Sequence, residues 1–411
     1  MTQAIEQVER SANRLAGTGF GLLWMNAVSF QLISSADRFT FTWLIDDTLK
    51  GPSWATGVVL FALGLPIFCF VLAAGAIADR SDRRRQLLGS QLAGAVISGG
   101  AAALVAAGWM TVPLAIVTAF CFGTAYAFAQ PVRSALVPAL VPRSQLMRAI
   151  VMMTIGQNIG FVIGPALGGA VIDAAGVGMA FAVQSVLFIA GYAAVFRLRV
   201  PPRAVEVPKR ALRTEVGEGL RFVWQHPCLR PLFFLLALGG LFMMGSSSIL
   251  IPKIARQEFG RTAGQASLLF TFMGIGMVST SLVLARFVQI RRRGLVFMIT
   301  MIVGTGDQIV QGFAPSYAAF AVLLFVWGIT GGLYVNLNQS LIQSITPVDR
   351  MGRVMGLFLL VSAGLAPLGS LLAGTVATYL GPQPTLGWLA VIACACSVIT
   401  LWRAADLRAL A

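Results

Sequence analysis

Charged residues are scarce in this chain. Of its 411 residues, 11% are Asp, Glu, Lys or Arg, whereas 57% are hydrophobic, and the mean hydropathy is +0.82. A soluble domain of ordinary composition is about one quarter charged. The composition therefore predicts a protein embedded in a membrane.

The residues that build metal sites and catalytic centres are also scarce. There is one histidine, His226, and Cys394 and Cys396 are too close together for the usual spacing of metal ligands. No Gly-x4-Gly-Lys-Ser/Thr loop occurs, so nothing indicates an ATP-driven motor. Membrane enzymes usually gather several His, Asp or Glu side chains at one depth. We therefore expect no metal, no cofactor and no catalytic residue. A membrane enzyme or a receptor that does not transport is the less favoured class.

Long apolar runs fill most of the chain. Most of them are close to the ~20 residues that a helix needs to cross the hydrocarbon core. We place twelve runs at 21–45, 54–77, 87–108, 112–131, 149–173, 179–197, 231–251, 266–286, 295–313, 317–341, 354–379 and 386–402. The predicted fold is an all-α integral membrane protein with twelve transmembrane helices.

Lys and Arg are distributed unevenly between the two ends of these runs. With both termini on the inner side, all but five of the 30 basic residues fall in inner segments, and Arg133 is counted there. The exceptions are Lys50, Lys253, Arg256 and Arg261 in outer loops and Arg38 within the first run. This is the positive-inside pattern. It predicts a multi-pass protein of the cell inner (plasma) membrane with cytoplasmic termini. We expect the basic residues behind the net charge of +15 to contact membrane lipid rather than nucleic acid.

One connector is long and polar. Residues 198–230 contain Pro201, Pro202 and Pro208 and separate six runs from six. Within this connector, Glu215, Glu218 and Arg221 are spaced three residues apart, which is consistent with a short amphipathic helix on the inner surface. We predict an N-terminal six-helix half at 1–197, a cytoplasmic linker at 198–230 and a C-terminal six-helix half at 231–411.

The two halves share a sequence pattern at corresponding positions. Pro142 precedes Arg148 by six residues at the entry to the fifth run, and Pro347 precedes Arg353 by six at the entry to the eleventh. The two halves are therefore predicted to be pseudo-symmetric. Two related six-helix halves are typical of secondary transporters, which hold their substrate between the halves near the midplane.

The inner loop between the second and third runs carries a charged motif. The chain reads Gly-Ala-Ile-Ala-Asp-Arg-Ser-Asp-Arg-Arg-Arg from Gly75 to Arg85. Asp79 can accept hydrogen bonds from the start of a neighbouring helix, and the arginines can pair with carboxylates or lipid phosphate. We predict a conformational latch that holds one arrangement of the halves, formed by Gly75, Asp79, Arg80, Arg83 and Arg84. A plain basic loop that only sets topology is the alternative.

The fifth run carries small residues at intervals of four. Such spacing lets two helix backbones approach closely. The residues are Gly156, Gly160, Gly164, Pro165, Gly168 and Gly169. Helix packing alone explains them, and a tight seam that seals the protein against leak is the functional alternative.

The first run contains a carboxyl group and a guanidinium group. Charges inside a membrane are costly and usually functional, so Asp37 is the best candidate for a proton site, with Arg38 beside it. Burial and a neighbouring cation act on a carboxyl group in opposite directions, and a conformational change that alters their balance would couple protons to transport. A static Asp-Arg pair is the alternative.

These motifs resemble those of one family. The order Gly75, three residues, Asp79-Arg80, two residues, Arg83 is similar to the signature loop of the major facilitator superfamily. The fifth run resembles the Gly-Pro antiporter motif of its drug exporters. The segments 222–231 and 346–356 resemble its twelve-span drug:proton antiporter branch, which includes macrolide efflux pumps and the enterobactin exporter. The counterpart of the signature loop in the second half, 284–293, lacks the aspartate.

The resemblance implies which runs line a central cavity. In this superfamily the first, fourth, seventh and tenth helices do so. The tenth run carries a polar stripe of Asn336, Gln339, Ser340 and Gln343, which we predict as substrate contacts. Hydrogen bonding between helices is the alternative role for this stripe.

The resemblance also implies a function. We expect a monomeric secondary active efflux transporter that exchanges protons for amphipathic or hydrophobic organic compounds by alternating access. The alternative is a siderophore or metabolite exporter, or a lipid transporter, of the same fold. In that case Arg38 would contact an anionic substrate.

Overall fold

Helices make up nearly all of the described chain. The computed structural model describes residues 19–80, 82–198, 212–286, 292–347 and 350–410. Its helices are α1 (Phe20–Trp43), α2 (Ser53–Arg80), α3 (Arg83–Ala106), α4 (Val112–Leu140), α5 (Leu146–Phe196), α6 (Leu212–Gln225), α7 (Leu229–Leu238), α8 (Gly245–Gln257), α9 (Ala263–Arg286), α10 (Arg293–Gln311), α11 (Tyr317–Ile345), α12 (Met351–Leu380), α13 (Pro382–Arg403) and α14 (Ala405–Ala409). A π-helical turn, Leu44–Thr48, follows α1, and another, Gly239–Met244, joins α7 to α8.

Many of these helices are long and apolar enough to cross a membrane. Ten helices or helix runs within the described residues meet this criterion, and α7, its π-helical turn and α8 count as one. The helix α5 is 51 residues long and is interrupted at Gly176, where φ is 81°. Only glycine adopts that backbone conformation easily. The fifth and sixth apolar runs are thus one helical stretch that breaks at a single residue.

Two helices extend well beyond their predicted ends. The fourth run was expected to end at residue 131, but α4 continues through Pro131 and Pro138 to Leu140. The seventh was expected to end at 251, but α8 continues through Pro252 to Gln257. Proline is tolerated within membrane helices because neighbouring groups satisfy the freed carbonyls. Arg133, Lys253 and Arg256, which were expected in loops, therefore lie within helices, and the side of the membrane assigned to them stays a prediction.

The chain forms two compact units. Unit 1 comprises Met1–Thr40 and Leu65–Val207, and unit 2 comprises Phe41–Gly64 and Pro208–Ala411. These units are not the predicted halves, because the last part of α1 and the first part of α2 belong to unit 2. The predicted boundaries of the halves at 197 and 231 stay a prediction.

Each unit has its own aromatic core. In unit 1, Phe122 of α4 stacks on Phe188 of α5 with ring centroids 6.2 Å apart, and a side chain at Gly94 of α3 would collide with Phe188. In unit 2, Phe297 of α10 stacks on Tyr334 of α11 at 5.5 Å. These contacts fix the helices within each unit that carry the polar residues described below.

Candidate functional site

Asp37 is fully buried in α1. The hydroxyl group of Tyr126, on α4, donates a hydrogen bond to Asp37 Oδ2. The other oxygen, Oδ1, is buried and has no hydrogen-bond partner among the described residues. Arg38, the next residue, is exposed. The two predicted proton-coupling residues thus have different environments, and the residue that holds Asp37 is a neutral tyrosine that the sequence did not indicate.

A buried arginine is part of the same group of side chains, because it and Tyr126 both contact the ring of Phe30. Arg133 of α4 is 3% exposed, and its Nε donates to Asn26 Oδ1 at 3.1 Å. Its guanidinium carbon lies 3.8 Å from the ring centroid of Phe30, and Phe30 contacts Tyr126 edge to face at 4.8 Å. Among the described residues, Arg133 Nη2 has no hydrogen-bond partner. The ring of Phe30 therefore contacts both Arg133 and Tyr126, the residue that donates the hydrogen bond to Asp37.

Arg133 was missed because the fourth run was ended at a proline. Tyr126 and Arg133 are seven residues apart, so they lie on one face of a continuous helix. Reading the run through Pro131 would have placed an arginine inside the membrane on the same face as a tyrosine. That is the sequence signal that could have found it.

The glycine face of α5 packs against α1. A side chain at Gly160 would meet the backbone nitrogen of Leu32 at 2.9 Å, and one at Gly164 would meet the backbone oxygen of Leu32 at 2.6 Å. Trp24 Nε1 donates to the carbonyl oxygen of Met152 at 2.8 Å. The two helices therefore approach closely along the stretch that leads to Asp37.

The remaining residues of the predicted α5 motif lie on or beside this face. A side chain at Gly156 would meet Val28 at 2.8 Å, and one at Gly168 would meet Ala36 at 3.4 Å. Pro165 and Gly169 are buried, and α5 continues helically through Pro165. We call this contact between α5 and α1 the glycine seam.

Only part of the predicted latch can be described. The backbone of Gly75, Asp79 and Arg80 belongs to α2, but their side chains lie outside the described residues. Asp82 caps α3, since its carboxylate accepts from the backbone nitrogens of Arg84 at 2.9 Å and Arg85 at 3.3 Å. Such a cap stabilises a helix start by about 1 kcal/mol.

The latch arginines bind helix carbonyls. Arg83 Nη1 donates to the carbonyl oxygen of Ala135 in α4 at 3.1 Å. Arg84 donates through Nε to Val195 at 3.3 Å and through Nη2 to Phe196, both in the last turn of α5. The carbonyls at the end of a helix carry partial negative charge, and those of Val195 and Phe196 lie at the end of α5, whereas Ala135 lies before the last turn of α4. The sequence had suggested carboxylate or phosphate partners for these arginines, and the structure gives them backbone carbonyls within unit 1.

The predicted substrate stripe is exposed on α11. Gln339, Ser340 and Gln343 are all exposed. Asn336 Nδ2 donates to the carbonyl oxygen of Gly332 at 2.7 Å and lies 3.4 Å from Ser281 Oγ on α9. Asn336 thus takes part in bonding between helices, and the other three side chains present accessible polar atoms.

A second buried aspartate lies in the π-helical turn after α1. Asp46 is 9% exposed, and its Oδ1 accepts from Lys253 Nζ at 2.6 Å and from Gln257 Nε2 at 2.5 Å. Arg256 Nε lies 3.7 Å from Asp46 Oδ2 and its Nη1 pairs with Asp47. Lys253 is fully buried. We call these residues of unit 2 the Asp46 cluster.

A third carboxyl group, that of Asp307, lies within an apolar helix but outside both groups described above. Asp307 in α10 accepts a hydrogen bond from Gln311 Nε2 at 2.7 Å and is half-buried. It does not belong to the Asp37 or Asp46 groups. Asp307→Asn is therefore a matched control for the neutralisation of Asp37.

Comparisons with known proteins agree with this architecture. The sequence pattern of the transmembrane secretion effector family matches residues 11–409. Macrolide efflux protein A of Streptococcus pyogenes is 24% identical over 357 residues, which cover 84% of this chain and 87% of that protein. The enterobactin exporter of Salmonella choleraesuis is 26% identical over 341 residues, covering 80% of this chain and 79% of that protein.

A solved structure shows the same fold. The crystal structure of the nucleoside transporter NupG superposes with a TM-score of 0.73 at 15% identity, over 96% of this chain and 98% of that one. An identity this low carries information about the fold alone. Together with the family match over nearly the whole chain, it leads to one conclusion: this multi-pass membrane protein is a transporter, not an enzyme, and it belongs to the transmembrane secretion effector family of the major facilitator superfamily.

Proposed function

We propose that the chain is a proton-coupled antiporter that exports amphipathic or hydrophobic organic compounds by alternating access. In this proposal the protein is a monomer whose twelve helices, in two pseudo-symmetric halves, span the plasma membrane. Both of its termini are cytoplasmic. The observation that carries the proposal is the buried carboxyl group of Asp37, which a neutral hydroxyl donor holds in α1.

The proton step is argued from the surroundings of Asp37. An ionised carboxylate inside a protein is costly unless cations and hydrogen-bond donors compensate it. One oxygen of Asp37 has a hydroxyl donor and the other has no hydrogen-bond partner among the described residues. A bound proton would satisfy Oδ1 in one conformation, and a conformation that brings water or a cation to it would release the proton. Such alternation couples proton entry to substrate exit.

The glycine seam and the latch arginines have supporting roles in this proposal. Backbones in contact along α1 and α5 leave little room for water beside Asp37, which supports a seal against proton leak. Arg83 and Arg84, at the start of α3, donate hydrogen bonds to carbonyl groups of α4 and of the last turn of α5. They would keep unit 1 rigid while the conformation changes, and the part of Asp79 in a latch stays a proposal.

The substrate proposal depends on α11 and on the relatives. The exposed polar atoms of Gln339, Ser340 and Gln343 suit a few directional contacts to an otherwise apolar molecule. One relative is a macrolide efflux protein. We therefore propose a macrolide-like compound or an amphipathic cation as substrate.

The test is transport by purified protein in sealed liposomes whose lumen corresponds to the cell exterior. With the lumen acidified, uptake of a labelled macrolide or of an amphipathic fluorescent cation into the lumen should run against its gradient and stop when a protonophore collapses the pH difference. Liposomes without protein are the control. Uptake that needs sodium instead, or uphill uptake that persists without a pH difference, would contradict proton coupling.

A second candidate is export of an anionic siderophore. It is favoured by the exposed guanidinium group of Arg38 and by the similarity to an enterobactin exporter. In the same liposomes, uptake of a labelled siderophore that is lost in Arg38→Gln, with no uptake of macrolide or cation by wild type, would select this candidate. Movement of a fluorescent lipid between leaflets would instead select the lipid-transport alternative.

A further inference from the structure

Three polar side chains are buried in unit 1 beyond Asp37. Thr40 is fully buried and follows Asp37 by three residues, so the two are neighbours on one face of α1. Gln184 of α5 is 3% exposed, and its Nε2 donates to Thr40 Oγ1 at 3.4 Å. Ser98 of α3 is also fully buried. We call Thr40, Gln184 and Ser98 the Gln184 group.

The Gln184 group lies toward one end of unit 1. The helix α3 ends eight residues after Ser98, and α5 is interrupted at Gly176, eight residues before Gln184. Ser185 Oγ donates to the carbonyl oxygen of Ala95 at 2.8 Å, which places this part of α5 beside this part of α3. The positive-inside pattern predicts that the Gly176 end faces the cell exterior. The group therefore lies between Asp37 and the predicted outer surface.

Several polar atoms here have no partner. Within the described part of the chain, Gln184 Oε1 and Ser98 Oγ are buried without a hydrogen-bond partner, as is Asp37 Oδ1. A buried polar atom without a partner is costly, and the cost is greatest in a membrane protein, where lipid supplies no substitute. Buried water commonly makes about three hydrogen bonds to such atoms. These three residues therefore offer water two acceptors and a hydroxyl group beside α1.

The contact between α1 and α5 is less tight at this group than along the rest of the glycine seam. A side chain at Gly164 would meet the backbone oxygen of Leu32 at 2.6 Å. At Gly168 an added carbon would meet Ala36 no closer than 3.4 Å and Thr40 Oγ1 at 3.8 Å, which are ordinary contact distances. Water is therefore excluded more strongly at Leu32 than at Thr40.

We propose that Thr40, Gln184 and Ser98 bind the water through which a proton reaches Asp37 from the Gly176 end of unit 1. Gln184 is a positioning residue, because its amide donates to Thr40 and keeps Oε1 as an acceptor for water. Each water accepts one proton and passes one on, and Oδ1 of Asp37 receives the last. This inference rests on the proposed role of Asp37 as the proton site, and it supplies that site with an entry path.

Exchange of the Asp37 proton for deuterium tests the path without requiring transport. The full chain in detergent is transferred to heavy water, and the infrared band of the protonated carboxyl group is followed with time. The band that is lost in Asp37→Asn belongs to Asp37. Gln184→Met keeps a side chain of similar length but removes the amide, so it should slow the exchange about tenfold, because hydrogen bonds to water are lost.

A second buried glutamine provides the matched control. Gln91 of α3 is 2% exposed and lies seven residues before Ser98, away from the Gly176 end. A side chain at Gly191 of α5 would meet its Oε1 at 2.9 Å. Gln91→Met should therefore exchange the Asp37 proton at the wild-type rate.

The possible results separate the path from the proton site. Exchange at the wild-type rate in Gln184→Met would overturn the path and leave Asp37 as the proton site. Equal slowing in Gln91→Met would also overturn it, since the effect would then reflect the packing of unit 1 as a whole. If Asp37→Asn loses no carboxyl band, Asp37 holds no proton, and both the proposed proton site and the path are wrong. If Gln184→Met is not monodisperse, Ser98→Ala gives the same comparison, because it removes one small hydroxyl group.

Discussion

Asp37 and Asp46 are both buried aspartates, but their partners differ in kind. Asp37 accepts a hydrogen bond from the neutral hydroxyl of Tyr126 and has one oxygen without a hydrogen-bond partner among the described residues. Asp46 has the ammonium group of Lys253 at 2.6 Å and the guanidinium of Arg256 at 3.7 Å. Burial alone therefore does not identify a proton site. The charge of the partners distinguishes a carboxyl group that can exchange a proton from one that is fixed in an ion pair.

The two environments also predict different consequences of substitution. A buried ion pair that loses one partner leaves the other charge uncompensated, which costs about 3–5 kcal/mol of stability. Neutralising Asp37 leaves the neutral hydroxyl of Tyr126 in place and removes the electrostatic interaction with Arg38, which is exposed rather than buried. We therefore expect substitutions at Asp37 to change transport and substitutions in the Asp46 cluster to change stability.

The largest effect is expected from Asp37→Asn. The amide keeps the shape and the hydrogen bond to Tyr126 but cannot carry a proton, so uphill export in the acid-lumen liposome assay should fall to the level of protein-free liposomes. Expression and melting temperature should stay near those of wild type. Asp307→Asn is the matched control and should transport normally. Uphill export by Asp37→Asn at the wild-type rate would remove Asp37 from the coupling role.

The next effect concerns the Asp46 cluster. Lys253→Met should lower the free energy of unfolding by about 3–5 kcal/mol, because Asp46 is left buried without its closest cation. The measurement is thermal or denaturant unfolding of the purified protein in detergent. Adding Asp46→Asn to Lys253→Met should restore most of the loss, since both charges are then gone. A double variant as unstable as the single one would contradict the ion-pair account.

A smaller effect is expected at the glycine seam. Gly164→Ala places a methyl group 2.6 Å from the backbone oxygen of Leu32, so α1 and α5 must move apart. Overpacking of this kind costs about 1–3 kcal/mol. In proteoliposomes the same variant should also leak protons faster without substrate, measured with an entrapped pH dye. Gly100→Ala is the control in unit 1, because nothing lies within 4 Å of its added carbon; an equal change there would mean that the seam has no special role.

The smallest effect is expected from Tyr126→Phe. The variant removes the hydroxyl donor to Asp37 and keeps the ring contact with Phe30. A neutral hydrogen bond contributes about 0.5–1.5 kcal/mol, which corresponds to a change of up to about tenfold in coupling. The readout is the dependence of export rate on luminal pH, which should shift along the pH axis relative to wild type. A pH profile identical to wild type would show that Tyr126 does not influence the proton step.

Much of this fold could be predicted from the sequence. Each apolar run coincides with a described helix, because a run of about 20 apolar residues in a membrane protein has few other ways to satisfy its backbone. The helix ends were less accurate at Leu140 and Gln257, where prolines and charges were read as boundaries. A proline does not end a membrane helix, and a charge does not end it either when a partner on another helix compensates that charge, as Asp46 does for Lys253.

The candidate site could be predicted only in part. Asp37 was selected as a candidate because an acid in an apolar run is unusual, and the α5 glycines because their spacing is regular; the structure shows that Asp37 is buried and that the glycines face α1. Tyr126, Arg133 and Lys253 were missed as partners because each partnership joins residues far apart in sequence. Contacts of that kind depend on which helix faces pack together, and a single sequence gives no direct information about them.

The most direct measurement is proton release from purified protein when a transported compound is added. Wild type, Asp37→Asn and the double variant Asp46→Asn with Lys253→Met are compared in weakly buffered detergent solution with a pH indicator. The account predicts release from wild type and from the double variant, and none from Asp37→Asn. Release of equal size from Asp37→Asn that still binds the compound would contradict the claim that Asp37 carries the exchanged proton.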